Sequence, residues 1–490
     1  MSLVKQVARR LLAPVARWAS TPAYDAAGNH RRVRGWQPDG SAINSLLAGA
    51  GDDLRLKSRD MDRRNPWARN AADSYTANVI GTGIVPQSLH PDAKVREVLH
   101  EAWRAWTDES DAAGLTDFYG QQTQACNEAQ IGGEVFARLR PRRASDGLTV
   151  PLQVQLLQAE HCPLWKNDQY GTGFFVRQGI EFNAINRRTA YWLYQEHPFE
   201  RYQQFNNELR RVPASEVLHL FKPRIVGQQR GEPWLTPVLA LLYDLEKYDN
   251  AELIRKQIAA MMAFFIEDAD PANKLFQTED LDDDGVPIAG IEPGSAITLP
   301  SGKTVKISEP TDVGGMYTQY MRAQLRKLAA GLGITYEQIS GDLEGVNYSS
   351  IRAGLLEFRR RCEQFQHQVM VFQFCRPVWH AWLDAAALAG VIDYSDYQAN
   401  KSLYRAVEWR PQAWPWVDPL KDIEAEVMKI DNLLGSRTAS LKGMGLDREQ
   451  VDREIAADAQ SEKQNGLERR STSRSAQQPE PAQRRNENAA

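Results

Sequence analysis

The sequence predicts a helix-rich α+β fold, and three observations predict it. Helical periodicity governs residues 65–130 and gives way to two-residue alternation from Gly132 to Phe221. Two long helical stretches bracket an acidic segment broken by Pro and Gly between Glu267 and Pro300. Apolar residues then recur at alternating steps of four and three along a helix beginning near Ser349. Helices followed by strands, with no regular alternation of the two, mark an α+β fold. At 490 residues the chain exceeds what one hydrophobic core organises, so several domains are expected.

The first nineteen residues carry Lys5, Arg9, Arg10 and Arg17 and no acid. Pro14 interrupts them and no apolar core of a signal peptide is present, so they read as an arm or docking helix. Residues 20–54, rich in Gly, Ala, Ser and Asp, read as an irregular lead-in. A helix begins at Asn65-Pro66, with Pro in its first turn, and Ala68, Ala71, Ala72, Tyr75 and Val79 form its apolar face. It stops at Gly81-Thr82-Gly83. Two more helices are predicted at 93–106 and 117–130. Strands are predicted from Val135 to Leu139, around 152–156, and at 179–182, 188–194 and 216–221, giving one α+β domain over 65–225. His219 lies within the last of these apolar strands and reads as a core histidine.

Residues 233–266 lack internal Gly or Pro after Pro237 and read as one long helix; thirty residues reach roughly 45 Å. Between Glu267 and Pro300 nine acids stand against Lys274 alone, among them Asp280, Asp282, Asp283 and Asp284. Four prolines in this segment mark turns between short strands. Helix resumes over 313–331, and a short segment leads to a loop running from Gly341 through Gly345 and Asn347 to Tyr348. The longest helix follows, to about Ala389, with Ile351, Leu355, Phe358, Cys362, Phe365, Val369 and Phe372 as its seam. The same stripe would serve an ordinary core helix, so it speaks for length and packing and not for oligomeric state. A smaller module over 399–458 holds Trp409, Trp414 and Trp416 between prolines, and the polar end from residue 459 is expected to be disordered.

Fixed chemistry finds little support. With 59 Lys and Arg against 63 Asp and Glu, net charge −4, the chain has no cationic excess for gripping a polyanion. Cys126, Cys162, Cys362 and Cys375 are scattered with no CxxC pair, so neither a disulfide framework nor a zinc site is expected. The most apolar stretch, 258–266, is too short to cross a bilayer and runs into two acids, so no membrane partner is expected. Gly302-Lys303-Thr304 ends like a phosphate-binding loop, but the earlier Gly is replaced by Ile297 and a strand pattern follows where a helix is required. The run from Asp280 to Gly285 opens like a calcium loop, but its twelfth position is Ile291 and Pro287 intrudes. No nucleophile, general base or metal set emerges; the expectation is a non-enzymatic protein without cofactor or metal.

Seven runs, taken in order, carry a resemblance. They are Arg63 to Arg69 with Asn78 to Ile84, then Gly132 to Phe136, Gly179 to Phe182 with Ala190 to Trp192, and Gly227 to Leu235. Gly331 to Tyr336, Asn347 to Gly354 and Trp416 to Pro419 complete the set. Their order and spacing over residues 55–455 resemble the lambda-type portal proteins of tailed bacteriophages, and the two chain ends lie outside the likeness. The resemblance implies a ring, usually a dodecamer, at one capsid vertex, serving as head–tail connector and as the conduit for double-stranded DNA in viral DNA packaging and genome ejection. It assigns 1–54 to an N-terminal arm and lead-in, 55–232 to the wing, 233–266 to a first stem helix and 267–311 to the clip. It places a second stem helix and connector at 312–340, a tunnel loop at 341–350, a long wing helix at 351–398, a crown-like α-helical module at 399–458 and a polar tail at 459–490.

The resemblance also implies functional residues. Gly341, Gly345, Asn347, Tyr348 and Ser349 would face DNA, and Asp280, Asp282, Asp283 and Asp284 would form the docking surface of the clip. The implied partners are other copies of the chain, the terminase large subunit, the major capsid protein and scaffold, head-completion proteins and passing DNA. The implied locations are the virion and, during assembly, the host cytoplasm. An acidic or neutral wall suits a conduit, because it lets a polyanion slide. The alternative is a nucleic-acid-processing component of the packaging machinery, a nuclease or motor subunit, using Asp282 and Asp284; a third is an adaptor of a contractile injection machine.

Overall fold

The computed structural model describes residue 35 and residues 37–170, 173–200, 208–260, 264–267, 304–307, 316–414 and 419–467. The chain divides into a first unit, residues 1–50, and a second, residues 51–490; the interactions described below lie within the second. Helix α1 (Ile43–Arg64) starts in the first unit and continues into the second, and its residues 43–54 fall where an irregular lead-in was expected. Leu47, Leu54 and Met61 recur every seven residues, a helical signal hidden among Gly49, Gly51, Asp52 and Asp53.

Helix α2 (Pro66–Ile80) starts where expected, because the Asn65 side chain accepts from the backbone N–H groups of Trp67 and Ala68 at 3.1 Å. Its predicted apolar face is buried. Strand β1 (Val85–Ser88), helix α3 (Ala93–Thr107) and helix α4 (Phe118–Ile131) follow. Strands β2 (Val135–Pro141) and β3 (Leu152–Gln158) pair antiparallel. Five short strands then form a meander: β4 (Asp168–Tyr170), β5 (Phe174–Arg177), β6 (Ile180–Phe182), β7 (Arg188–Tyr194) and β8 (Leu209–Pro213). Strand β9 (Val217–Leu220) returns to pair with β2, giving a sheet of order β3-β2-β9. Phe136, Ile180, Phe182, Tyr191, Leu193 and Val217 make a core shared by the two sheets.

Helix α5 (Leu239–Ala260) is shorter than the expected 233–266 rod. Residues Phe264–Glu267 form strand β10 instead, paired antiparallel with β11 (Thr304–Ile307). The aromatic and β-branched run Phe264-Phe265-Ile266 favours the extended form, and helical spacing across Ile258 and Met262 does not reveal the change. Thr304 opens a strand, which is consistent with the rejection of Gly302-Lys303-Thr304 as a phosphate loop.

Helix α6 (Tyr317–Leu332) and the short α7 (Tyr336–Ser340) lead to the long helix. This consists of α8 (Tyr348–Phe365), a π-helical segment (Gln366–Cys375) and α9 (Arg376–Leu388), without a break. The predicted seam is buried at Phe358, Cys362, Phe365 and Val369, but Phe372 is exposed and Phe374, five residues after Val369, is buried in its place. Bonding from i to i+5 widens each turn, so a four-and-three spacing drifts off the packed face. Gln366 and Gln373 tether the segment: the Gln366 side chain donates to the Val79 carbonyl at 2.7 Å, and that of Gln373 accepts from the Phe221 N–H at 2.9 Å. Trp379 and Trp382 of α9 each lie 5.1 Å, ring to ring, from Trp103 of α3, closing the main core across nearly 280 residues of sequence.

The expected crown boundary at 399 divides a packed region. Helices α10 (Tyr394–Ala399) and α11 (Lys401–Arg405) bury Tyr397 and Tyr404 in the main core, and β12 (Val407–Arg410) pairs with β1. Only afterwards do α12 (Pro419–Asp431), α13 (Arg437–Gly443) and α14 (Arg448–Asn465) follow, with no buried residue in any of them. Ion pairs Arg96–Glu449 at 2.8 Å and Arg453–Glu97 at 3.3 Å join α14 to α3. Residues 459–465, expected to open the polar tail, are helical.

Candidate functional site

Two of the runs singled out in the sequence, 132–136 and 227–235, meet in space. Glu134, at the entry to β2, is fully buried and receives Arg230, Arg55, His219 and the Gly231 N–H. The Arg230 guanidinium lies 2.6 Å from one carboxylate oxygen, and His219 Nε2 lies 2.8 Å from the other. Arg230 donates further to the carbonyls of Cys162, at 2.8 Å, and Gln178. Two arginines beside it hold the Glu134 carboxyl well below the usual range despite the burial that opposes them. Gly231 is required here, since a Cβ would strike the Gly133 carbonyl. The knot fixes the chain just before α5, where the Trp234 N–H donates to the Gln130 carbonyl at 2.8 Å and the Trp234 indole donates to the Leu332 carbonyl at 3.1 Å.

Burial lowers the His219 pKa to about 4, outweighing the nearby carboxylate. An unfolded chain therefore binds a proton at this histidine between about pH 6.5 and 4 that the folded chain refuses. Its contribution to stability is present above pH 6.5 and is lost as pH falls towards 4. His161, likewise lowered by burial to about 4, adds in the same direction. Thermal unfolding measured from pH 7 to pH 4.5 should show a falling midpoint, with a shallower fall in His219→Gln; parallel curves for the two proteins would exclude this role.

Helices α5 and α6 run antiparallel, because Trp234 before α5 meets the end of α6 while Tyr248 and Asp249 meet its start. Tyr248 lies 4.8 Å from Tyr320 and 6.1 Å from Tyr317, ring to ring, and the Tyr317 hydroxyl donates to Asp249. Leu239, Leu242 and Leu245 of α5 are buried, while Tyr243, Leu253 and Ile254 are exposed, the last two by more than half. Tyr243 and Ile254 fall on one line of the helix, three turns apart.

The loop that joins α7 to α8 covers residues 341–347. Gly341 and Gly345 have φ values of +69° and +71°, with open space around each. The Asn347 carbonyl accepts from the Ile351 N–H at 3.0 Å, so Tyr348 and Ser349 already belong to α8 and not to a loop reaching 350. Asp342 accepts from the Tyr336 hydroxyl at 2.8 Å, and Arg322 of α6 reaches both Asp342, at 3.2 Å, and Glu344, at 2.5 Å. Two carboxylates of the loop are thus engaged by one arginine. Helix α6 holds Arg322, Arg326 and Lys327 and no acid. Nothing in the sequence pairs Arg322 with Glu344, because the contact joins a helix to a loop twenty-two residues on.

Asp280, Asp282, Asp283 and Asp284 lie outside the described residues, as does most of the 267–311 segment. All four cysteines are buried free thiols. Among the described residues no three His, Cys, Asp or Glu side chains gather as a metal would require, and no helix is long and apolar enough to cross a membrane.

Residues 29–366 match the family described as phage portal protein, lambda family. The chain is 28% identical over 431 residues to a probable portal protein of Halomonas phage phiHAP-1, covering 84% of this chain and 81% of that one. It is 21% identical over 468 residues to portal protein B of Escherichia phage lambda, covering 86% of each. Among solved structures, a chain from the neck of a native gene transfer agent particle is 13% identical, covering 82% of this chain and 98% of that one, with a TM-score of 0.46.

Proposed function

The chain belongs to the lambda family of phage portal proteins, and from that premise we propose that it assembles into a ring whose central channel conducts double-stranded DNA into and out of a capsid. One observation on this chain supports the reading beyond the family. Helix α5 buries Leu239, Leu242 and Leu245 on one side, while Tyr243, Leu253 and Ile254 stand exposed among its charged residues in a single copy. Large apolar side chains left exposed on one helix suit contact with another chain. Copies arranged about an axis supply that contact.

The same reading makes α5 and α6 the stem, the acidic 267–311 segment the clip that docks the terminase and later the head-completion proteins, and the 341–347 loop the part nearest DNA. Twelve copies, a capsid-vertex position in the virion and ATP hydrolysis supplied by the terminase complete it. The chain itself is then a passive conduit and no enzyme.

Purified protein should form rings with a central channel under the electron microscope. Leu253→Glu combined with Ile254→Glu should leave particles of one or a few chains by mass photometry, at an unchanged unfolding temperature. A wild-type chain that stays monomeric at micromolar concentration in every salt overturns the proposal.

A further inference from the structure

We propose that Arg322 is a contact for a DNA backbone phosphate, and that Glu344, braced by Asp342, occupies its guanidinium when DNA is absent. The inference rests on the channel reading and names the residue and the exchange by which the loop and DNA share one cation.

A single nitrogen of Arg322 faces both carboxylates, at 2.5 Å from Glu344 and 3.2 Å from Asp342. The two acids are held differently. Asp342 is built into the loop: it accepts from the Tyr336 hydroxyl at 2.8 Å and from the Glu344 N–H at 2.9 Å, and its own N–H donates to the Ser340 hydroxyl at 3.1 Å. The Glu344 side chain is 81% exposed and bonds only to Arg322 among the described residues. An ion pair between exposed groups contributes little, so Glu344 is the detachable one. Glu344 meets Arg322 through one oxygen, whereas a phosphate can offer the guanidinium two, which favours the exchange.

The setting gives the exchange a purpose. Arg326 lies one turn from Arg322, its guanidinium 5.4 Å from the centre of the Tyr336 ring, and α6 carries no acid. Left bare, this face would attract phosphate and hold it. With Glu344 competing for the same nitrogen, each phosphate contact is offset by a lost ion pair. DNA touches the wall without being trapped. Gly341 and Gly345, which bound the acidic turn and have open space around them, let the loop withdraw.

The test uses intact full-length rings and a short fluorescent DNA duplex at low ionic strength, read by anisotropy. Glu344→Gln should tighten duplex binding by about threefold or more, since a competing anion is removed from a phosphate contact. Arg322→Gln should weaken binding, and adding it to Glu344→Gln should abolish the gain. Unchanged affinity in Glu344→Gln, or a gain that survives in the double variant, overturns the proposal. Micrographs of the same samples separate the two claims: absent rings sink the channel reading, whereas intact rings with unmoved affinity sink only the exchange.

Discussion

Glu134→Ala is expected to destabilise the protein by about 3–5 kcal/mol, the range for breaking a buried ion pair by removing one partner. The carboxylate is the common acceptor for Arg55, Arg230, His219 and the Gly231 N–H. Without it two guanidinium groups, each at most 2% exposed, would face one another with no anion between them. Water has no ready access, and neither arginine gives up its proton easily. Glu134→Gln should be nearly as damaging, because it preserves shape and one acceptor but not the charge. Urea unfolding of purified protein measures both; a loss below about 1 kcal/mol in Glu134→Ala would mean that the arginines find other partners.

Gly231→Ala is expected to cost about 3 kcal/mol or more, at the upper end for overpacking, because the nearest obstacle is the Gly133 backbone. The added methyl would strike the Gly133 carbonyl and meet the Glu134 Cβ at 2.7 Å. Neither can give way, since the Gly231 N–H and the Glu134 carboxylate are bonded to each other at 2.7 Å. Gly227→Ala is the control. Its φ of +83° is strained for alanine but no atom lies within 4 Å, so only the left-handed backbone penalty of about 1–2 kcal/mol applies. A loss at Gly231 no larger than that at Gly227, compared by unfolding, would show that local shifts relieve the close approach.

Local signals in the sequence were legible and long-range ones were not. Asn65-Pro66 announced α2 because a cap and a first-turn proline act within three residues, and the strand expected over 188–194 matched β7. The seam of the long helix was read correctly as far as Val369. It failed at Phe372, because a π-helical turn is set by what surrounds it, including the bonds from Gln366 and Gln373 to distant backbone. The end of α5 was overshot where helical spacing and strand propensity coincide, near residue 264. The loop holding Gly341 and Gly345 was legible as a loop, and the family resemblance alone gave it a role, whereas Arg322 and Glu344 were not singled out, since a charge pair between separate elements leaves no periodic trace. Glu134 and Arg230 stood inside the motif runs that carried the family resemblance, but only the fold shows that one residue answers the other.

The buried knot also sets an order on biosynthesis. Arg55 leaves the ribosome early, Glu134 much later, His219 and Arg230 later still. Until Gly231 has emerged, the carboxylate lacks part of its set, and the first arginine has to remain hydrated at the surface of an unfinished chain. The sheet around β2 therefore cannot seal its interior until the segment leading into α5 has been made, so this half of the molecule matures just as translation reaches the rods.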